Sequence, residues 1–418
     1  KDGQGKERTV IAWIWARTVK CPNPVCGCEM PLASSFVLSK KKGNEAWVEP
    51  IVDGQKVRFE VHKGKCSKEK ESNKTSRSAV FKCPSCGETT LDAYVKEMGK
   101  KSAIGAQLMA VVAEGDRGRI YLSPTAEQET IAAVAMPENY PSGEMPGNPR
   151  WFSPPAFGMT DYADLFTNRQ LVALTTFSGL VAEAQAQVVA DGGSEEYGQA
   201  VGVYLAFVVD KLTDYHSSIC SWNPPRDGIR NTFGRQAIPM VWDYAEGNPF
   251  SGSSGCFGNM LEWIIKCVAE LPANQQGEVS QFDAQSDCGL RNIMVSTDPP
   301  YYDNIGYADL SDYFYVWMRQ SLRTTYPELF RTMLVPKAEE LIATPYRFDG
   351  SMEQARAFFE DGMLQTCKQI NKYAQDDVPV TIYYAYKQSE TNDDQTASSG
   401  WETMLSAIIQ AGFSITGT

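Results

Sequence analysis

The residues best suited to chemistry lie where an apolar run, Asn292 to Thr297, ends directly in Asp298-Pro299-Pro300-Tyr301. In an open α/β sheet, ligands gather at the carboxyl ends of strands. A carboxylate and a backbone carbonyl placed together there can accept hydrogen bonds from both N–H groups of an exocyclic amine. Such an amine is a poor nucleophile while its lone pair is delocalised into a ring, and two acceptors favour the pyramidal nitrogen that can attack. Asp298 supplies the carboxylate and Pro299 the carbonyl. The prolines fix the backbone so that this carbonyl does not turn into a helix. Tyr301 offers a ring on which an extruded base can stack, a contact of roughly 1–3 kcal/mol. An ordinary strand-ending turn is the plainer reading of Asp-Pro-Pro, but the strand before it and the aromatics after it favour a site.

A second set of residues has metal-ligand spacing. Cys21 and Cys26 in KCPNPVCG, and Cys83 and Cys86 in KCPSCG, form two Cys-Pro knuckles about 60 residues apart. Four thiolates suit a tetrahedral zinc, and a site closed by four sulfurs is structural, with no open position for hydrolysis. Cys28 and Cys66 are possible substitutes. The chain has eleven cysteines, six of them within the first 86 residues. In an intracellular protein such clustering indicates metal binding rather than disulfides. His62 is expected on a strand face and His216 at a helix end, too far apart for a shared site.

A third candidate is Asn248-Pro249-Phe250-Ser251-Gly252-Ser253-Ser254-Gly255. Its small residues would let backbone approach a ligand ahead of a helix, which makes Asn248, Phe250 and Gly252 candidate cofactor contacts. Against this, DYAEGN before it does not look like a buried strand, so a structural or substrate-facing loop is the preferred expectation.

The elements that must position these residues can be read from periodicity. TVIAWIWARTV near the start fits helix or strand equally. Two alternating runs around Asp53-Gly54 predict a β-hairpin with a type I′ turn. A second hairpin is expected over 106–122, then a capped helix start at Ser123-Pro124-Thr125 and a linker or long surface loop from Met136 to Gly158. A helical hairpin should occupy 164–212. Beyond Pro225, short apolar runs (IPMVWD, EVSQFDA, NIMVST, VPVTIYYAY) alternate with helices near 259–271, after Tyr307, over 352–373 and near Trp401. That alternation predicts a parallel α/β sheet. The expected domains are therefore a zinc ribbon with hairpin (1–103), a hairpin, helix and linker (104–158), a helical insertion (159–222) and an α/β part carrying the tetrad (223–418).

Three segments, TDPPYYDNIGYADLSDYFYVWMRQSL, PKAEELIATPYR and ARTVKCPNPVCGCEMPL, resemble the large adenine-specific DNA methylases with an inserted zinc ribbon, found in bacterial and archaeal anti-phage and modification loci. The resemblance runs through most of the chain. It implies a Rossmann-like class I S-adenosylmethionine methyltransferase sheet, interrupted by the ribbon and a helical insertion. It also implies transfer of a methyl group to N6 of adenine in DNA, with N4 of cytosine the other amine such tetrads serve, and partner subunits of a modification or defence system. Tyr302, Asp303 and Tyr307 would line the base pocket or order the loop after the tetrad. Asp283, at the end of the run before the tetrad strand, would neighbour the adenine of the cofactor, with a helix cap as its alternative role. Proteins of this type carry a DPFxGGG-like motif ahead of the ribbon. Its absence here, together with a start without Met and a stop in Ile415-Thr416-Gly417-Thr418, leads us to expect a fragment of a longer protein. The rival expectation is a zinc-ribbon nucleic-acid-binding fragment with no catalysis of its own.

Composition bounds these readings. A chain of 418 residues, 43% hydrophobic, can bury two or three cores. No run approaches the roughly 18 apolar residues of a membrane span, and no signal peptide opens the chain, so a cytoplasmic protein without membrane contact is expected. The net charge of −12 is unevenly distributed: residues 1–101 carry 20 Lys and Arg against 12 Asp and Glu, and the rest is strongly acidic. Only the N-terminal module has the basic field that nucleic acid requires. Lys40-Lys41-Lys42 and the lysines around Cys66 are candidate phosphate contacts.

Overall fold

The computed structural model describes residues 2–302, 305–384 and 394–417 and divides into two compact units. One comprises residues 1–271 and 310–335; the other comprises 272–309 and 336–418.

The first unit is organised around β1 (Val10–Lys20), whose ambiguous VIAWIWARTVK is a strand. Its β-branched and aromatic residues suit a pleated surface covered on both faces, and seven of the eleven are buried only because neighbours pair on each side. β2 (Glu29–Leu32) pairs with the Arg17–Lys20 end of β1. A three-stranded antiparallel sheet follows: β3 (Val37–Ser39), β4 (Ala46–Asp53) and β5 (Lys56–Lys63). The β4–β5 hairpin occurs where expected, but Asp53 pairs with Lys56, so the turn residues are Gly54 and Gln55. Only Gly54 has positive φ, +61°, the pattern of a type II′ turn rather than I′. The short β6 (Phe81–Lys82) and β7 (Thr89–Thr90) frame the second knuckle and lead into α1 (Asp92–Lys100).

β8 (Gly105–Gly115) and β9 (Gly118–Leu122) form the second expected hairpin, β8 pairing with the free side of β1 through two register irregularities that curl the sheet. Thr125 caps the short α2 (Ala126–Ile131) in a capping box with Gln128. The stretch 136–158 is not merely a surface linker: Met145, Trp151, Phe152 and Phe157 are buried, because their apolar area outweighs the Pro/Gly composition around them. The helical hairpin is α3 (Asn168–Ala190) and α4 (Glu195–Tyr215), capped by Thr167 and Ser194. β10 (Ser221–Asn223) and β11 (Gly228–Arg230) form a small ribbon. The next strand, β12 (Asp243–Gly247), closes the five-stranded antiparallel sheet against Ala12–Ala16 of β1 and runs into α5 (Phe257–Glu270). IPMVWD, expected as a strand, is not one; the strand lies in DYAEG, where Glu246 hid it. That carboxylate is buried because Arg169 meets it with two bonds of 2.7 Å.

In the second unit, β13 (Ser296–Thr297) precedes the tetrad; α6 (Tyr307–Leu322) begins shortly after it, its residues from Leu310 on belonging to the first unit. α7 (Met352–Tyr373) then leads to β14 (Thr381–Ile382), which pairs parallel to β13, and α8 (Asp394–Gln410) follows. The protein is thus mixed α/β with a curled antiparallel main sheet. The parallel sheet expected after residue 223 is represented, among the described residues, by this one strand pair and the bridge Ile293–Ala374. EVSQFDA forms no strand; Val279 is fully exposed, and an extended run becomes a strand only where a neighbour accepts its amides.

The core of the first unit runs without a break from the β1 face (Ile14, Ala16, Met109, Val112) through the cysteine region (Cys21, Cys28, Cys83) to Phe59, Phe81 and Trp242. One contact in it is backbone on backbone. A Cβ on Gly99 of α1 would overlap the Phe157 carbonyl, and one on Gly158, at φ +86°, would overlap the Gly99 carbonyl. Gly99→Ala should therefore lower stability by about 3 kcal/mol, the upper end of overpacking costs. Gly179→Ala on α3, with open space around it, should instead raise stability by about 0.5–1 kcal/mol. Urea unfolding of both variants checks the contrast; equal effects would contradict the packing.

Candidate functional site

The four knuckle cysteines converge. Their sulfurs all lie within 4.8 Å of one another, with Cys21–Cys86 at 3.6 Å and Cys26–Cys83 at 3.9 Å. A tetrahedron of sulfurs about 2.3 Å from a central zinc has edges of about 3.8 Å, so these spacings fit the ion. Local sequence explains the convergence. In each knuckle the residue after the second cysteine is a glycine at positive φ, Gly27 at +57° and Gly87 at +77°, which turns the chain so that both thiols face inward. The amides of Cys26 and Gly27 return to the Asn23 carbonyl, and that of Gly87 to Cys83. β1 carries the first knuckle at its carboxyl end, and the β6–β7 pair closes the second.

The thiols differ electrostatically. Burial pushes Cys21 and Cys83 up, so without a cation they hold their protons, whereas the Cys28 amide holds Cys26 down to about 7. A cation ionises all four and removes the cost of burying them as thiolates. Cys28 is fully buried beside the cluster and pushed up to about 11 by burial; it is not one of the four converging ligands. Cys66 lies in a different place, on a cleft with Lys40 and Lys65.

The tetrad Asp298-Pro299-Pro300-Tyr301 begins at the residue after β13, at the carboxyl end of a strand in parallel pairing. The Asp298 side chain is exposed. The Tyr301 ring meets Tyr384 edge-on at 5.4 Å, and Tyr384 in turn stacks on Trp401 at 6.3 Å, so the tetrad opens onto a row of three aromatics. Tyr302 is held in the loop after the tetrad by its ring and both backbone groups. Its ring is 7% exposed and packs on Phe359 in the core of the second unit; its amide donates to the Tyr384 hydroxyl at 3.2 Å, and its carbonyl accepts from Ala343. Tyr307, the first residue of α6, is half exposed. Asp303 lies outside the described residues.

Sequence reasoning missed the support behind this loop. Arg347 donates to Glu340 at 2.7 Å and to buried Asp309 at 3.1 Å, Tyr346 also bonds Asp309, and Glu340 accepts from the Ala308 amide. Burial pushes the Tyr346 hydroxyl up, so it stays a neutral donor to Asp309. The acidic residues of YADLSD and PKAEELIATPYR signalled it, but not which acid meets Arg347.

The Asn248–Gly255 loop joins a strand to a helix after all, since DYAEG is the buried β12; the ground for discounting a cofactor role is removed. Its polar groups divide. Asn248 is a tether: its amide and Nδ2 donate to Ile11 and Val10 carbonyls, and its Oδ1 accepts from Phe250. Phe250 is 79% exposed, and Gly252 leaves its backbone open beside Glu114, 3.5 Å from where a Cβ would stand. Asp283 lies in an irregular loop, its carboxylate accepting from the Gln285 amide and the Ser286 hydroxyl.

His216, at the end of α4, anchors the far side of this loop through Nε2 and the Gly255 carbonyl, 2.6 Å apart. Burial lowers its pKa, so it is neutral in the fold while the unfolded chain gains a proton below about pH 6.5. Its contribution is complete above that pH and is lost as pH falls, at up to about 1.4 kcal/mol per pH unit. Urea unfolding between about pH 7.5 and 5.5 should show a smaller loss for His216→Gln than for the wild type.

No helix among the described residues is long and apolar enough to cross a membrane. Comparison with protein-family models, with curated proteins and with solved structures finds no match for this chain.

Proposed function

We propose that the protein transfers a methyl group from S-adenosylmethionine to an exocyclic amine of a base in DNA, N6 of adenine, and that its four-cysteine centre holds a structural zinc. One observation carries the catalytic part: Asp298-Pro299-Pro300-Tyr301 starts at the carboxyl end of a strand in parallel pairing, with an exposed carboxylate and an aromatic row beside it.

The chain's own residues do the following. The Asp298 carboxylate and the Pro299 carbonyl accept the two amine N–H bonds and concentrate the lone pair on nitrogen. Pro300 keeps that carbonyl from joining a helix. Tyr301 stacks the extruded base, and Tyr302, pinned at both backbone groups, holds the turn that presents the ring. As nitrogen becomes positive, Asp298 stabilises it, and the surplus proton leaves along that hydrogen bond. S-adenosylmethionine, when bound, supplies the electrophilic methyl.

The test is methyl incorporation from labelled S-adenosylmethionine into duplex DNA by the full-length protein, followed by nucleoside analysis. N6-methyladenine supports the reading, and N4-methylcytosine moves the target. DNA binding without any incorporation would favour a zinc-ribbon binding protein, the reading that the metal centre and the basic ribbon support by themselves.

A further inference from the structure

Two lysine runs of the ribbon leave the same end of the β3–β4–β5 sheet. Lys40 to Arg77 hold eleven Lys and Arg against six Asp and Glu, in a chain whose net charge is −12. Register places them. Ser39 pairs with Ala46 and Ala46 with Lys63, so β3 ends into Lys40-Lys41-Lys42 beside the point where β5 ends into Lys63-Gly64-Lys65. Strands in a sheet lie about 4.8 Å apart, so with β4 between them the two runs leave the same end of the sheet roughly 10 Å apart. The Gly64 amide ties the second run to the Glu45 carbonyl, and Lys40 and Lys65 line one cleft of about 230 Å³ together with Glu45 and Glu71.

The charges there are not used up by the fold. Lys41 is paired with Asp227 at 3.1 Å and Lys70 with Glu49 at 2.6 Å, whereas Lys40, Lys42, Lys63, Lys65 and Lys68 are exposed and form no ion pair among the described residues. Next to them, Trp47 and His62 stack at 4.9 Å, with Lys70 over the Trp47 ring. Lysines free of ion pairs near a fixed strand end, outnumbering the Glu45 and Glu71 carboxylates of the cleft and set beside an aromatic pair, suit a rigid polyanion whose charges repeat along a line. An anionic membrane would be met better by an amphipathic helix, and the three-stranded sheet presents none.

We infer that the Lys40–Lys42 and Lys63–Lys65 corner of the ribbon binds the phosphate backbone of duplex DNA without reading its sequence. The inference takes the identity of the polyanion from the methyl-transfer reading, and it describes an electrostatic grip separate from the base-holding tetrad. Each phosphate neutralised should contribute about 0.9 to the slope of log affinity against log salt.

The test uses the whole chain and a mixed-sequence duplex, with fluorescence anisotropy at several salt concentrations. The fourfold variant Lys40→Gln, Lys42→Gln, Lys63→Gln, Lys65→Gln should bind at least tenfold more weakly at about 0.1 M salt, with a slope shallower by roughly 3–4. Lys266→Gln with Lys368→Gln, equally exposed elsewhere, should change neither. Metal content and the unfolding midpoint of the fourfold variant must match the wild type; a single Lys63→Gln, with a slope change near 0.9, serves if they do not. Unchanged affinity and slope, absence of duplex binding by the wild type, or equal loss in the control would overturn the inference. So would tighter binding to phosphatidylserine vesicles than to DNA. Outcomes for the tetrad separate cleanly: Asp298→Ala should leave this binding intact, and a corner that binds DNA in a protein that methylates nothing would sink the catalytic reading alone.

Discussion

Asp298→Ala in the full-length protein should abolish methyl transfer by two to three decades in rate, about 3–4 kcal/mol, with S-adenosylmethionine and DNA binding within a few-fold of wild type. The carboxylate meets the target amine, and the charge it stabilises develops only as nitrogen attacks, so its loss falls on the chemical step. The exposed position of Asp298 means that nothing in the fold depends on it, and thermal unfolding should be unchanged. Tyr301→Ala should weaken capture of the extruded base by roughly 1–3 kcal/mol, whereas Tyr301→Phe keeps the ring that meets Tyr384 and should be mild. Tyr384→Phe removes the acceptor of the Tyr302 amide and should lower turnover with little effect on binding. Methyl incorporation by Asp298→Ala above a tenth of the wild-type rate would refute its assignment.

Removal of the metal should be the most damaging single change to the fold. Purified chain is expected to carry one zinc, and Cys21→Ser with Cys83→Ser should leave less than half an equivalent. Structural zinc sites contribute on the order of 10–16 kcal/mol of apparent binding energy near neutral pH, as much as the whole stability of a typical domain. Because Cys21 and Cys83 share a core with Ile14, Phe59 and Trp242, the loss should spread from the knuckles into the five-stranded sheet. The helices of the second unit, whose core of Tyr302, Phe359, Met363 and Cys367 includes none of these residues, should persist. Cys28→Ser should retain the metal. Full zinc in the double variant, measured by elemental analysis, would exclude the four-thiolate centre.

Sequence alone determined the features whose causes are local. The two Cys-Pro-glycine knuckles, the hairpins at 46–63 and 105–122, the capped helices at 126, 168 and 195, and the helix from Met352 to Tyr373 each follow from a periodicity or a turn residue within a few positions. The tetrad was legible for the same reason, since strand, turn and aromatic are contiguous. Tertiary structure decided everything that depends on who lies alongside. TVIAWIWARTV became the central strand because β8, β12 and β2 pair with it, and DYAEG became a strand because Arg169 neutralises Glu246, 77 residues away in sequence. EVSQFDA had the pattern of a strand but no partner. Tyr302 and Tyr307 share a residue type within six positions, yet one is core and the other surface, because α7 and α8 residues happen to cover only the first. That four cysteines meet within 4.8 Å follows from spacing, but that their core is continuous with the main sheet follows from packing, which no local pattern records.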